Sequence, residues 1–151
     1  MARRGGLLAL VALLAVVPDA AACSCVDPDP ASERLEEADA VFAGRVTQIN
    51  EHAVPYTVVI TFEVTRAWKG VTGPSVSVRT AKSGTACGAW FLLGREYLVF
   101  SAFESEGEEA PPLLHTSACS GNNLVEDAQF DLWELGPSTP ITDEDADHPS
   151  D

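Results

Sequence analysis

An all-β domain with short flanking helices is what this sequence predicts, and three observations predict it. The stretch Tyr56 to Trp68 alternates Val58, Ile60, Phe62 and Val64 with Val59, Thr61, Glu63 and Thr65, a period of two that buries one face of a strand. Four other short apolar runs are separated by Gly, Pro, Ser and Asn turn chemistry. Helical signals are confined to two short stretches. About five strands with a helix beside them suit a small closed five-stranded barrel of the OB type, although periodicity by itself also allows a sandwich.

The chain begins with an export signal. Arg3 and Arg4 form a basic n-region, Leu7 to Val17 an apolar h-region, and Ala20-Ala21-Ala22 a small-residue cleavage site just before Cys23. The apolar run is shorter than the roughly 20 residues of a membrane span, so the expected product is secreted or extracytoplasmic, with no membrane span. Lipidation of Cys23 is the alternative processing; it would leave an odd number of free cysteines, and Ala20 stands where lipoprotein sites usually prefer a larger aliphatic residue. Residues 23–151 are long enough for one domain with a core: 23–135, followed by an acidic tail, 136–151, expected to be disordered.

Within the domain, Pro28 and Pro30 hold residues 26–30 extended. Asp29 suits an N-cap and Pro30 the first position of a short helix ending near Asp39. A first strand runs from Ala40 to Ile49, with Gly44 a candidate bulge or close backbone approach. The second, Tyr56 to Trp68, is the longest, and Lys69-Gly70 turns into a third around Val76 and Val78. Ala81 to Gly88 reads as a loop carrying Cys87. Glu96-Tyr97-Leu98-Val99-Phe100 is apolar on both faces and so central. An acidic hairpin loop with Pro111-Pro112 leads to a fifth strand, Leu113 to Thr116. Asn123 can cap a second helix whose first turn holds Glu126 and Asp127. Leu124, Ala128 and Leu132, with Phe130 and Trp133 nearby, give it an apolar stripe expected to pack on the strands.

Charge excludes some functions. Without Arg3, Arg4 and Asp19, the remaining 7 basic and 22 acidic residues give a formal charge of −15, which argues against a nucleic-acid partner. Glu104, Glu106, Glu108 and Glu109 crowd one loop; Asp143, Glu144, Asp145, Asp147 and Asp151 crowd the tail. Both read as solvated segments, since the EF-hand-like spacing of Asp143, Asp145 and Asp147 lacks the central glycine and closing glutamate. An enzyme is not expected. His52, His115 and His148 are scattered, and no metal-hydrolase, nucleophile-elbow or phosphate-loop motif is present. His115, in a strand, is expected to have a packed or hydrogen-bonded core role, and Trp68, Trp90 and Trp133 to pack in the core or at its edge. Trp90-Phe91-Leu92-Leu93 is expected to be buried, with an exposed patch near Cys87 as its other reading.

Four cysteines, Cys23, Cys25, Cys87 and Cys119, in an exported chain point to two disulfides. Pairing Cys23 with Cys25 would strain a very short loop, so each is expected to reach one of the two distant cysteines.

Cys23-Ser24-Cys25, then Pro28 and Pro30, Val41-Phe42-Ala43-Gly44, Cys87-Gly88, Glu96-Tyr97-Leu98 and Leu114-His115-Thr116-Ser117-Ala118-Cys119 occur in that order. On these residues the segment from Cys23 to Trp133 resembles the N-terminal domain of the tissue inhibitors of metalloproteinases. The resemblance implies an OB-like netrin module with disulfides Cys23–Cys87 and Cys25–Cys119. It implies a zinc metalloprotease as partner, a monomeric inhibitor and no cofactor of its own. The free α-amine and carbonyl of Cys23 would chelate the partner's zinc, which keeps an open position that a five-membered chelate can fill. The amine must be unprotonated to bind, and such groups titrate near pH ~7.7. The contact ridge would comprise Ser24, Cys25, Val26, Asp27, Thr85, Ala86, Cys87 and Gly88, with Ser24 in the specificity pocket. Two departures stand out: the family's third disulfide and second domain cannot be built from four cysteines, and Asp27 and Asp29 put negative charge beside the ridge. The same module without inhibitory activity, an extracytoplasmic interaction domain, is the alternative.

Overall fold

The structure, a computed structural model, describes residues 23–54, 56–82, 87–104 and 113–141. In chain order its elements are α1 (Ala31–Glu37), β1 (Ala40–Val54), β2 (Thr57–Lys69), β3 (Ser75–Ala81), β4 (Glu96–Glu104), β5 (Leu113–His115), β6 (Asn123–Leu124), α2 (Gln129–Leu135) and β7 (Thr139–Pro140). The described chain is thus mostly β-sheet with two short helices, as the alternating patterns require. β1 pairs antiparallel with β2 and with β4; β2 pairs with β3; β5 pairs antiparallel with β4 and, at Arg79 and His115, parallel with β3. Five strands therefore close into a ring, β1-β2-β3-β5-β4 and back to β1. β6 joins β4, and β7 joins β2.

Gly44 is what lets β1 bend between its two partners. The β1–β2 register shifts between Ala43 and Gly44, and a Cβ on Gly44 would lie 2.9 Å from the Glu63 carbonyl oxygen and 3.1 Å from Phe62 Cβ. Both readings of this glycine, bulge and close approach, hold.

The apolar residues divide into two cores according to strand face. Phe42 and Val46 of β1, Val58, Ile60, Phe62 and Val64 of β2, Val78 of β3, and Tyr97 and Val99 of β4 make one cluster. Inside it Phe42, Phe62, Phe91 and Tyr97 follow one another edge to face, with ring centroids 5.3, 5.2 and 5.0 Å apart, the arrangement the ring quadrupoles favour. Val41, Leu98 and Phe100 point the other way and pack with Ala31, Ala128 and Leu135 of the helical segments. This explains why β4 is apolar on both faces: Tyr97 and Val99 serve one core, Leu98 and Phe100 the other.

Several expectations are corrected. Asp29 does not cap α1; Pro30 takes the cap position without a side-chain bond, and the Ala31 N–H donates to Glu134 Oε2 at 2.8 Å. The orphan donor of one helix is therefore satisfied from the other. At the opposite end, Lys69 Nζ donates to the carbonyls of Leu35 and Glu36 at 3.1 and 2.9 Å. Asn123 does not start α2. It lies in β6 opposite Leu98, so the chain turns through residues 125–128 before the helix begins. Ala128 is buried and Leu132 half-buried in the helical core, as the stripe predicts, with Leu135 buried beside them; Leu124 instead packs half-buried against the other core from β6, and Phe130 and Trp133 face solvent. Residues 136–141, the first part of the expected tail, lie against the sheet. The Trp68 indole donates to the Gly136 carbonyl at 3.0 Å, the Ile141 N–H reaches Thr65 O, and β7 pairs with Arg66 and Ala67. The expected signal segment, residues 1–22, the acidic stretch 105–112, and residues 142–151, with His148, lie outside the described residues, as does the His52 side chain. Among the described residues no helix is long and apolar enough to cross a membrane.

Candidate functional site

The segment from Cys23 to Pro30 has no regular secondary structure and is exposed along its whole length, and two disulfides fix it to the rest of the chain. Cys23 bonds Cys87 and Cys25 bonds Cys119, with Cα atoms 5.3 and 5.2 Å apart, spanning 64 and 94 residues of sequence. Of the two long-range pairings that the residues left open, this is the one that the resemblance implies. No described cysteine is free.

The two anchor loops are themselves joined, because the Ala118 N–H donates to the Cys87 carbonyl at 2.7 Å. Each has its own support. Cys87 adopts φ 37°, a left-handed conformation that is costly for a residue with a Cβ. It is followed by Gly88, where a Cβ would sit 2.0 Å from the Ala81 carbonyl oxygen, so only glycine lets this loop lie against the end of β3. The next N–H, of Ala89, donates to buried Thr80 Oγ1 at 2.7 Å. On the other side Asn122 holds the turn that carries Cys119: its Oδ1 accepts from Phe100 N at 2.9 Å, and its Nδ2 donates to Thr116 Oγ1 at 2.8 Å and to Ser117 O at 3.2 Å. Buried Thr116 in turn donates to Phe100 O at 2.7 Å.

Arg34 closes the assembly from below. Its Nε donates to the Asp29 carbonyl at 2.8 Å, one terminal nitrogen to the Gly121 carbonyl at 2.9 Å, the other contacts Asp131 Oδ1 at 2.9 Å, and the guanidinium lies 4.1 Å from the Phe100 ring centroid. One side chain thus links the terminal segment, the Cys119 turn and α2, a task suited to a planar fork of donors. Sequence reasoning passed over it. The available signal was its isolation as the one base among the three glutamates of α1.

Of the residues expected in a contact ridge, Cys23, Ser24, Cys25, Val26 and Asp27 share the terminal segment, which the Cys23–Cys87 disulfide sets beside Cys87 and Gly88; Thr85 and Ala86 lie outside the described residues. Val26 is 89% exposed, an apolar side chain that the fold leaves uncovered. Beneath the segment lies an open groove of about 410 Å³, lined by Val26, Asp27, Arg34, Phe100 and His115 among others. His115 therefore has no core role: Leu114 fills the interior from β5, and the imidazole, on the groove side, lies 3.7 Å from the Glu104 carboxylate. Among the described residues, no three His, Cys, Asp or Glu side chains are grouped so as to hold a metal ion.

Two of the three tryptophans differ from expectation. Trp68 is half-buried beneath the Arg66 guanidinium, but Trp90 and Trp133 are largely exposed. In Trp90-Phe91-Leu92-Leu93 only Phe91 is buried. It enters the aromatic row, and a turn closed by Arg95 N to Leu92 O leaves its neighbours outside.

No protein-family model matches this sequence, and no curated protein matches it closely enough to count as a relative.

Proposed function

We propose that the chain, once cut after Ala22, is a non-enzymatic inhibitor of zinc metalloendopeptidases, built on an OB-type, netrin-like barrel. The ring order with its β1–β4 closure and parallel β3–β5 contact supports the barrel reading. One observation carries the inhibitor reading: an exposed segment beginning at Cys23 is held by two disulfides to two loops that are hydrogen-bonded to each other. A cut at Ala22 creates an α-amine on a residue whose side chain is already locked to Cys87. The amine and the Cys23 carbonyl then reach an open zinc position together, and little chain entropy is lost in binding because the segment is ordered beforehand. Ser24 follows into the adjoining pocket, and Val26, Asp27, Cys87 and Gly88 line the contact. The two disulfides also suit the oxidising compartment to which a signal segment leads. Asp27 favours partners with a basic rim at its position.

The test is a titration of two forms, one starting at Cys23 and one with a single alanine before it, against a panel of zinc endopeptidases. The expected result is inhibition by the first and at least a hundredfold weaker inhibition by the second. Absence of inhibition by both across the panel contradicts the proposal. Equal binding of an extracellular partner by both forms would favour the non-inhibitory interaction module, for which the solvent-facing Phe130 and Trp133 of α2 provide a surface, Phe130 bordering the end of the terminal segment at Pro28 and Asp29.

A further inference from the structure

The loop between Cys87 and β4 presents an apolar tip that the fold does not use. Trp90 is 69% exposed, Leu92 49% and Leu93 65%, whereas Phe91 between them is 6% exposed. Three such side chains within four residues together expose roughly 300–400 Å², comparable to the largest apolar patches on monomeric proteins, which are commonly functional. Polar residues at these three positions would have left the core intact.

The tip is held rigidly. Phe91 sits 5.2 and 5.0 Å, centroid to centroid, from Phe62 and Tyr97. The Leu92 N–H donates to the Tyr97 hydroxyl at 3.1 Å, Gly94 N to Val46 O at 2.8 Å, and Arg45 donates to Gly94 O at 2.8 Å. A patch fixed in this way costs little to order on binding.

We infer that Trp90, Leu92 and Leu93 form a second contact for the same protease, seating on an apolar shelf beside its cleft; this rests on the proposed inhibition. Position supports it. Trp90 is three residues from Cys87, so their Cα atoms are at most about 11 Å apart, and Cys87 and Cys23 are 5.3 Å apart across the disulfide. A standard interface of about 800 Å² per partner is roughly 30 Å across, wide enough to take in both the terminus and the tip. Size supports it too. At about half of what a stable dimer needs, the patch is too small to hold a second copy alone, but it complements a terminal segment that supplies the remainder.

The experiment compares three proteins starting at Cys23: the natural sequence, Trp90→Ser with Leu93→Ser, and Trp133→Ser as a control for exposed apolar surface elsewhere. Inhibition constants and dissociation rates are measured on the endopeptidase that the natural form inhibits most tightly, and thermal unfolding verifies folding. The Trp90/Leu93 variant is expected to bind ten- to a hundredfold more weakly, through faster dissociation, with an unchanged unfolding midpoint; the control is expected to bind like the natural form. Equal inhibition by the Trp90/Leu93 variant overturns this inference and leaves the zinc-chelating reading standing. Failure of the natural form to inhibit any panel member overturns both. Sedimentation with phosphatidylcholine vesicles, or self-association, that the Trp90/Leu93 changes abolish would assign the tip to lipid or to a second copy and overturn it as well.

Discussion

Arg34 ties the end of the terminal segment to the Cys119 turn and to α2. Its side chain is only 10% exposed, and the groups it serves, the Asp29 and Gly121 carbonyls and the Asp131 carboxylate, belong to three separate parts of the chain. Replacing it by methionine removes charge-assisted bonds and leaves Asp131 without its partner, so Arg34→Met should cost about 2–3 kcal/mol, measured by urea unfolding. Arg34→Lys should recover less than half of this, because a single ammonium cannot reproduce the fork. Gly88 works at the same scale by a different route: with no Cβ it lets the Cys87 loop touch the Ala81 carbonyl. Its place after Cys87 was visible in the sequence, but the need for it was not, since the contact is with a strand end seven residues earlier.

At the scale of elements, the legible parts were those that a local period encodes. β2 shows its buried face as Val58, Ile60, Phe62 and Val64, and β4 shows its two-sided burial as an unbroken apolar run. The parts not legible were those settled by distant partners. Asp29 and Asn123 have good capping chemistry, yet Glu134 reaches across from α2 to bond Ala31, and Leu98 draws Asn123 into a strand pair. Tertiary contacts override local preference in both places. Likewise, nothing local shows that Ile141 bonds Thr65, which orders residues the composition marks as tail. The Cys25–Cys119 bridge is the element-scale restraint that matters most, because it spans 94 residues. Replacing both cysteines by alanine should lower stability by about 2–4 kcal/mol, read from the shift in urea midpoint at constant slope. The variant should still inhibit, more weakly, since Cys23 keeps its own bridge to Cys87.

Across the whole molecule, a ring of five strands carries two helices against one face and a clamped, exposed segment. The four cysteines were legible as an even count that pointed to two disulfides, and the pairing followed only from the resemblance. The groove lined by His115, the link from Ala118 to Cys87 and the exposure of Trp90 depend on how loops from different strands meet, which no local pattern records. The central claim is that the amine of Cys23 becomes a ligand of the partner's metal. Replacing the zinc of an inhibited endopeptidase by cobalt gives a metal whose visible spectrum reports its ligands directly. Adding the form that starts at Cys23 should change that spectrum toward a nitrogen-bound, five-coordinate centre at one equivalent, while the form with an added alanine should leave it unchanged. Identical spectra for the two forms would contradict the account.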